Sequence, residues 1–358
     1  MAKKLFILIL IMVVFGLAIL SSAGLPESQD KFGSSYYFVK HQFLYGVIPG
    51  LFGLILFSWF DYKFWKKVSL PLLFGSLFLM VLVFVPNIGH GLKGATRWLN
   101  LGPFTIQPAE ILKLCLIIYL AAWFSNRGDR KKNWSYGAAP FFIIMAFIIL
   151  LLYLQPDIGT LIVVLMIGGG IYFLSGRSWK EIISVGIIAA ILLSVFAISS
   201  SYRWDRIRAF MNPEEDPRGI SYQINQSLIA IGSGGLFGVG FQNSSQKQGF
   251  LPEVLNDSVF AIIAEELGYI GSVAVIIMFV LLSFLITQIA KSAPDKFAAL
   301  FVMGMNVWVI SQAFVNVAAI SGLVPLTGIP LPFISYGGTA IAVLLSGLGI
   351  VLNVAKKV

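Results

Sequence analysis

Apolar runs of helical length alternate along the chain with short polar or Gly/Pro breaks. Crossing a hydrocarbon core takes roughly 20 predominantly apolar residues. Runs of that kind fall at Leu5–Ser22, Phe43–Phe60, Leu70–Val85, Ile106–Phe124, Ala138–Leu154, Ile158–Leu174, Ile182–Ser199, Ser258–Ala290, Phe297–Leu323 and Leu331–Val354. The pattern predicts an all-α membrane protein of about ten transmembrane helices, the eighth long enough to hold a tilted span with an extension. It forms one polytopic domain, residues 1–358, and the segment 200–256 is its large extracytoplasmic loop, between helices 7 and 8. The N-terminus, MAKK before an apolar run and SSAG, has the outline of a secretory signal. Its apolar stretch is longer than a typical signal core, which favours an uncleaved anchor.

Composition removes the soluble alternative. Of 358 residues, 58% are hydrophobic and 11% charged, with a mean hydropathy of +0.88, too little charge to cover a water-facing surface. Lys and Arg concentrate in cytoplasmic loops of membrane proteins. With the N-terminus inside, 15 of the 25 basic residues fall in cytoplasmic segments and only Lys31, Lys40, Lys93 and Arg97 in short outer loops. Both termini are therefore expected in the cytoplasm. Topology and anionic lipid account for the net charge of +9 without a nucleic-acid partner. The single cysteine, Cys115, permits no intrachain disulfide.

The cytoplasmic loops are short, so chemistry is expected on the outer face, where the longest non-membrane segment lies. Several residues are costly where they stand. Glu110 and Lys113, at i,i+3 on the fourth span, share a helix face; they form a structural ion pair or the wall of a polar cavity. Asp157, in the QPD break between the fifth and sixth spans, fits a tight outer turn or is a substrate-binding or cavity residue. Arg97, beside Trp98, is an interfacial anchor or a diphosphate contact. Ser201–Phe210, SYRWDRIRAF, reads as an amphipathic helix on the outer leaflet, with Arg203 and Arg206 either anchoring it or meeting a lipid diphosphate. In NDSVFAIIAEELG, Asp257 stands at the mouth of the eighth span and Glu265 and Glu266 lie about 12 to 13 Å deeper on a regular helix. For Asp257 the choice is between a helix N-cap and a catalytic carboxylate.

GATRWLNLGPFTIQPAEILKL, QPDIGT, NPEEDPRGISYQINQSLIAIGSGGLFGVGFQNSSQKQGFLPE, FAIIAEELGYIG and PLTGIPLPFISYGG occur in this order, and they resemble the successive signatures of the SEDS family over essentially the whole chain. The resemblance implies a glycosyltransferase that polymerises lipid II into glycan strands outside the cytoplasmic (inner) membrane. It implies as partners lipid II and the growing strand, a class B penicillin-binding transpeptidase and other division membrane proteins. NSSQK favours the division branch. The family's essential aspartate falls on Asp257, its intramembrane Glu and Lys on Glu110 and Lys113, and Lys247 and Ser335 lie within the signatures as candidate cavity or substrate residues. Relatives usually carry His-Thr before the aspartate and Phe-Ile after it, where this chain has Leu255-Asn256 and Ser258-Val259; His41 replaces an Arg. A Mg²⁺ or Mn²⁺ ion is an expectation of the resemblance, and no organic cofactor is expected. A lipid II flippase and a non-catalytic scaffold for the transpeptidase are the rival readings.

Overall fold

The computed structural model describes the chain except residues 93–94, 101, 103–104, 127–138, 177–178, 199–200, 213 and 217–218, and the side chains of 92, 95, 182, 193, 197 and 201–203 also lie outside the description. In chain order the helices are α1 (Ala2–Ala23), α2 (Leu25–Phe32), α3 (Tyr37–Trp59, with a π-helical turn at Phe43–Val47), α4 (Tyr62–Lys67), α5 (Ser69–Leu82), α6 (Pro108–Ser125), α7 (Ala139–Leu154) and α8 (Ile158–Leu174). They continue with α9 (Trp179–Ile198), α10 (Ser201–Met211), α11 (Tyr222–Ser233), α12 (Val259–Lys291), α13 (Lys296–Ile320) and α14 (Gly338–Ala355).

Each of the ten predicted apolar segments holds a helix. Seven are long and apolar enough to cross a membrane, while α5, α7 and α8 are shorter apolar helices of 14, 16 and 17 residues. The tenth segment is corrected at its start: Pro330 and Pro332 keep the chain from Leu331 to Gly337 out of a helix, and it runs as a series of turns before α14 begins at Gly338. Two elements were not expected. Strands β1 (Gly89–Leu92), β2 (Ala95–Asn100) and β3 (Thr105–Ile106) form a small antiparallel sheet between α5 and α6, with Gly89 opposite Leu99 and Leu99 opposite Ile106. Helix α11 rises within the large loop.

Helix α6 is the axis of the bundle. Fifteen of its 18 residues are buried, as a helix that is apolar all round requires, and it packs against α5, α8, α13 and α14. Pro108 starts it, where a missing backbone N–H costs nothing. Helices α3 and α14 meet along Gly46, Gly50 and Gly53. A β-carbon at Gly50 would lie 2.7 Å from Leu345 Cδ1, and one at Gly53 would lie 2.2 Å from Ser346 Oγ, so the small residues set the spacing.

Helix α12 is two helices joined across a break. Gly268, at φ 68° and ψ −164°, interrupts it, and a helix end leaves backbone carbonyls and N–H groups without partners. The chain from Gly235 to Gly240 supplies them. Val239 N and Gly240 N donate to Glu265 O and Glu266 O at 2.9 and 3.1 Å, while Tyr269 N and Ile270 N donate to Gly235 O and Leu236 O at 2.9 and 3.2 Å. Only glycine fits at 268, because a β-carbon there would sit 2.3 Å from Gly238 N.

Candidate active site

Asp257 lies in the turn that precedes the first half of α12, and only 6% of it is exposed. The cap position belongs to Ser258, with no side-chain cap hydrogen bond, so the Asp257 carboxylate is not used as an N-cap. Three consecutive carbonyls hold the turn instead. Leu255 O accepts from Tyr336 N at 2.8 Å, Asn256 O accepts from Ser335 Oγ, and Asp257 O accepts from Asn316 Nδ2 at 2.8 Å. Asn316 Nδ2 also donates to Ile329 O at 2.7 Å, and Leu331 N donates to Ser335 Oγ at 2.8 Å. With its backbone gripped, the side chain is left to its surroundings: Gln223 Nε2, from α11, stands 3.4 Å from both carboxylate oxygens and donates to Ser258 Oγ at 3.1 Å. Burial pushes the Asp257 carboxyl up to about 6, with the Glu253 charge adding to the rise and the Arg206 guanidinium opposing it. A carboxyl in that range is a base at neutral pH and can hold a proton in a slightly acidic medium.

Arg206 reaches this place from α10. Its Nη1 donates to Leu326 O at 3.0 Å, and a β-carbon on Gly328 would lie 3.8 Å from Nη1 and 3.9 Å from Asp257 Oδ2. The base and a guanidinium thus flank one glycine. The amphipathic helix predicted from Ser201 is present, and the side chain of Arg203 lies outside the described residues.

Deeper in the bundle, Lys113 Nζ pairs with Glu110 Oε1 at 2.8 Å, both side chains almost fully buried. Lys113 Nζ also donates to Gln312 Oε1 at 3.0 Å and stands 4.9 Å from the centre of the Trp308 ring. Gln312 accepts from Trp308 Nε1 at 2.8 Å and donates to Pro330 O at 2.9 Å. A small cavity opens here, lined by Glu110, Trp308, Gln312, Ser335, Tyr336 and Leu344 among others. Glu110 lines it, and Lys113, its ion-pair partner, is not among the lining residues. Ser335 joins the cavity wall to the Asp257 turn.

Three other predicted residues lie elsewhere. Asp157 caps α8, accepting from Thr160 N at 3.1 Å and Thr160 Oγ1 at 2.9 Å. Arg97 Nε donates to Gln155 O at 3.2 Å and its Nη2 to Pro156 O; it binds the last carbonyls before the turn, a role neither sequence reading supplied. Lys247 is buried against Glu266 Oε1 at 2.6 Å and Ser22 Oγ at 2.8 Å, nine residues along α12 from Asp257. Sequence reasoning missed Gln223, Gln312 and Asn316. The latter two carried a signal, since they are amides spaced i,i+4 in an apolar helix. Among the described residues no three His, Cys, Asp or Glu gather as metal ligands.

The family model described as "Cell cycle protein", which groups FtsW, RodA and SpoVE, matches residues 2–358. The chain belongs to this family. Among its relatives is the probable peptidoglycan glycosyltransferase FtsW of Geobacter sp. (strain M18), 37% identical over 97% of this chain and 94% of that one. Stage V sporulation protein E of Bacillus subtilis (strain 168) is 36% identical over 98% and 95%. Among solved structures, a chain of a peptidoglycan synthase complex that coordinates polymerization and crosslinking superposes with a TM-score of 0.80 at 30% identity, covering 99% of this chain and 97% of that one. The rod shape determining protein RodA of Thermus thermophilus superposes at 0.73 with 27% identity, over 99% and 96%. The FtsW/RodA/SpoVE fold is thus the fold of this chain.

Proposed function

We propose that this protein is a peptidoglycan glycosyltransferase that polymerises lipid II at the outer face of the cytoplasmic membrane during cell division. The observation that carries the reading is a buried carboxylate, Asp257, in a turn whose carbonyls at 255, 256 and 257 are held by three donors, with its pKa raised to about 6. Relatives named peptidoglycan glycosyltransferase FtsW support the reaction class.

In the reaction the Asp257 carboxylate accepts the proton of the sugar 4-hydroxyl as that oxygen attacks the anomeric carbon of the polyprenyl-linked strand. The anomeric C–O bond breaks, and its electrons leave with the diphosphate. A positioned general base contributes typically 10² to 10⁴-fold. The diphosphate departs as a stable anion and needs no acid; positive charge helps it, and Arg206 brings such a charge close enough to act on Asp257. The donor set does not suit a resident Mg²⁺ or Mn²⁺ ion, since among the described residues Asp257 and its neighbour Glu253 are joined by no third His, Cys, Asp or Glu that could share an ion, and hard cations take six or more oxygens. Any such ion would arrive on the diphosphate, and no step here depends on it.

The chain crosses the inner membrane ten times, with both termini in the cytoplasm and 200–256 outside; the ten apolar helices and the distribution of Lys and Arg support this. A class B penicillin-binding transpeptidase is its partner, a reading supported by the similarity to a chain of the synthase complex. Gel analysis of lipid II incubated with the purified protein, alone and with the cognate transpeptidase, tests the proposal. Glycan ladders that vanish in Asp257→Asn are expected; ladders at near wild-type rate in that variant would overturn the assignment.

A further inference from the structure

Glu265, Glu266 and Lys247 take no part in the reaction above, yet they form the most buried ionic cluster outside the Glu110–Lys113 pair among the described residues. Adjacent helix residues point about 100° apart, so the two glutamates reach different groups, and both groups belong to one short stretch of the outer loop. Glu265 accepts from Ser244 Oγ, from Ser245 N and Oγ at 2.9 Å each, and from Gln246 N at 3.4 Å. Glu266 accepts from Lys247 Nζ at 2.6 Å and from Ser22 Oγ, near the end of α1, at 2.6 and 2.8 Å. Lys247 Nζ closes the triangle by donating to Ser22 Oγ.

This cluster sits beside the break at Gly268. An unbroken helix would carry its direction through to the Asp257 turn by its own hydrogen bonds; here that continuity stops nine residues after Val259. The outer segment Val259–Leu267 is therefore supported at two ends. At its start, Asn316, Ser335 and Tyr336 hold the carbonyls of residues 255–257. At its finish, the chain from Gly235 to Lys247 holds Glu265 and Glu266 by backbone and side chain together.

We propose that Lys247 and Glu266, with Ser22, are positioning residues for Asp257: they lock the far end of the segment Val259–Leu267 to the outer loop and to α1, and so fix the angle at which Asp257 enters its buried site. The proposal rests on the glycosyltransferase reading for what Asp257 does, and on geometry alone for how it is held. An ion pair at this depth is worth little as a source of stability, because removing two charges from water offsets their attraction. Its use is specificity of arrangement. Lys247 has one carboxylate within reach of its ammonium and one hydroxyl, so a single placement of residues 244–247 satisfies all of them.

The test uses the full-length protein with its transpeptidase. Lys247→Met combined with Glu266→Gln removes both charges and leaves neither unpaired. Expected are lipid II binding within threefold of wild type, a polymerisation rate at least 10-fold lower, and an acid limb of the pH–rate profile moved from about 6 toward the ordinary aspartate range as Asp257 loses burial. Lys247→Arg keeps the charge and restores most of the rate. Ser22→Ala, which leaves the ion pair in place, guards against a double variant that fails to fold; it should move the acid limb the same way by a smaller amount. Amide hydrogen exchange across residues 255–267 should quicken in both variants, a readout that needs no enzymatic activity. Unchanged exchange there, or an unchanged acid limb in Ser22→Ala, overturns the positioning role. An inactive wild type overturns the proposed reaction instead and leaves the exchange result to decide the lock.

Discussion

Arg206 and Asp257 flank Gly328 at nearly equal distances: a β-carbon on that glycine would stand 3.8 Å from the Arg206 Nη1 and 3.9 Å from the Asp257 Oδ2. Both atoms therefore come within van der Waals reach of that methyl position, a gap that Gly328 keeps empty. Gly328→Ala fills that space with a methyl in ordinary contact with both groups and should lower the polymerisation rate by about 10-fold or more by holding the reacting hydroxyl off the base, since a misplacement near 1 Å can cost as much as 10²-fold. Gly328 has φ +71°, and so does Gly322, whose nearest atoms belong to Leu228 and Ile224. Gly322→Ala carries the same backbone strain, about 1–2 kcal/mol, without filling the gap. Equal rate losses in the two variants would show that strain alone was measured.

Asp257→Asn should remove at least 10²-fold of the rate while raising the melting temperature. A carboxyl whose folded pKa lies near 6, above its ordinary 3.8, stabilises the fold fully when protonated at low pH and loses that contribution as pH rises through 6. At pH 8 the buried charge costs up to about 3 kcal/mol, which the neutral amide avoids. Thermal melts at pH 8 and pH 4 check the sign, because the gain should disappear at the lower pH.

The wild-type rate should rise with pH through about 6 and level off above it, since only the carboxylate is the base. Glu253→Gln removes the charge that helps raise the Asp257 pKa. Its acid limb should move to lower pH with little change in rate at pH 8. A limb that moved upward would mean that Glu253 acts by another route.

Lys113→Met leaves the Glu110 carboxylate buried without its partner at 2.8 Å and should destabilise the protein by about 3–5 kcal/mol. Adding Glu110→Gln removes the orphaned charge and should recover most of that loss in thermal melts. Additive losses in the double variant would indicate that the two side chains do not depend on each other.

Topology can be read with cysteine probes, because Cys115 is buried and gives little background. Phe250→Cys should react with a membrane-impermeant maleimide added to intact cells from outside, and Lys67→Cys only after the cells are opened. Labelling of both from the same side would end the ten-crossing arrangement.

The order of helices was legible because long apolar runs have one common solution in lipid. Glu110 and Lys113 were legible because their spacing places them on one helix face. Asp257 stood out as a carboxylate beside an apolar run, but its grip was hidden: Asn316 lies 59 residues away and Ser335 lies 79 from the carbonyl it binds. Gly268 in AEELGYIG reads as an ordinary helix glycine; only the arrival of the chain from Gly235 to Gly240 shows why the helix breaks there. Arg97 escaped for a similar reason, since its acceptors are main-chain carbonyls 58 and 59 residues later, and no side-chain pattern announces a carbonyl.

The glycine seam between α3 and α14 bears on how a lipid could reach the cavity beside Glu110. Along Gly46, Gly50 and Gly53 one helix backbone rests on side chains and backbone of the other at contact distance, which leaves no channel for a hydrocarbon chain to slip through. In this conformation α3 and α14 form a closed wall along that seam. A substrate that carries its own membrane anchor then has to keep that tail off this seam, while the cavity is walled in part by the loop from Pro330 to Tyr336 that also holds the Asp257 turn.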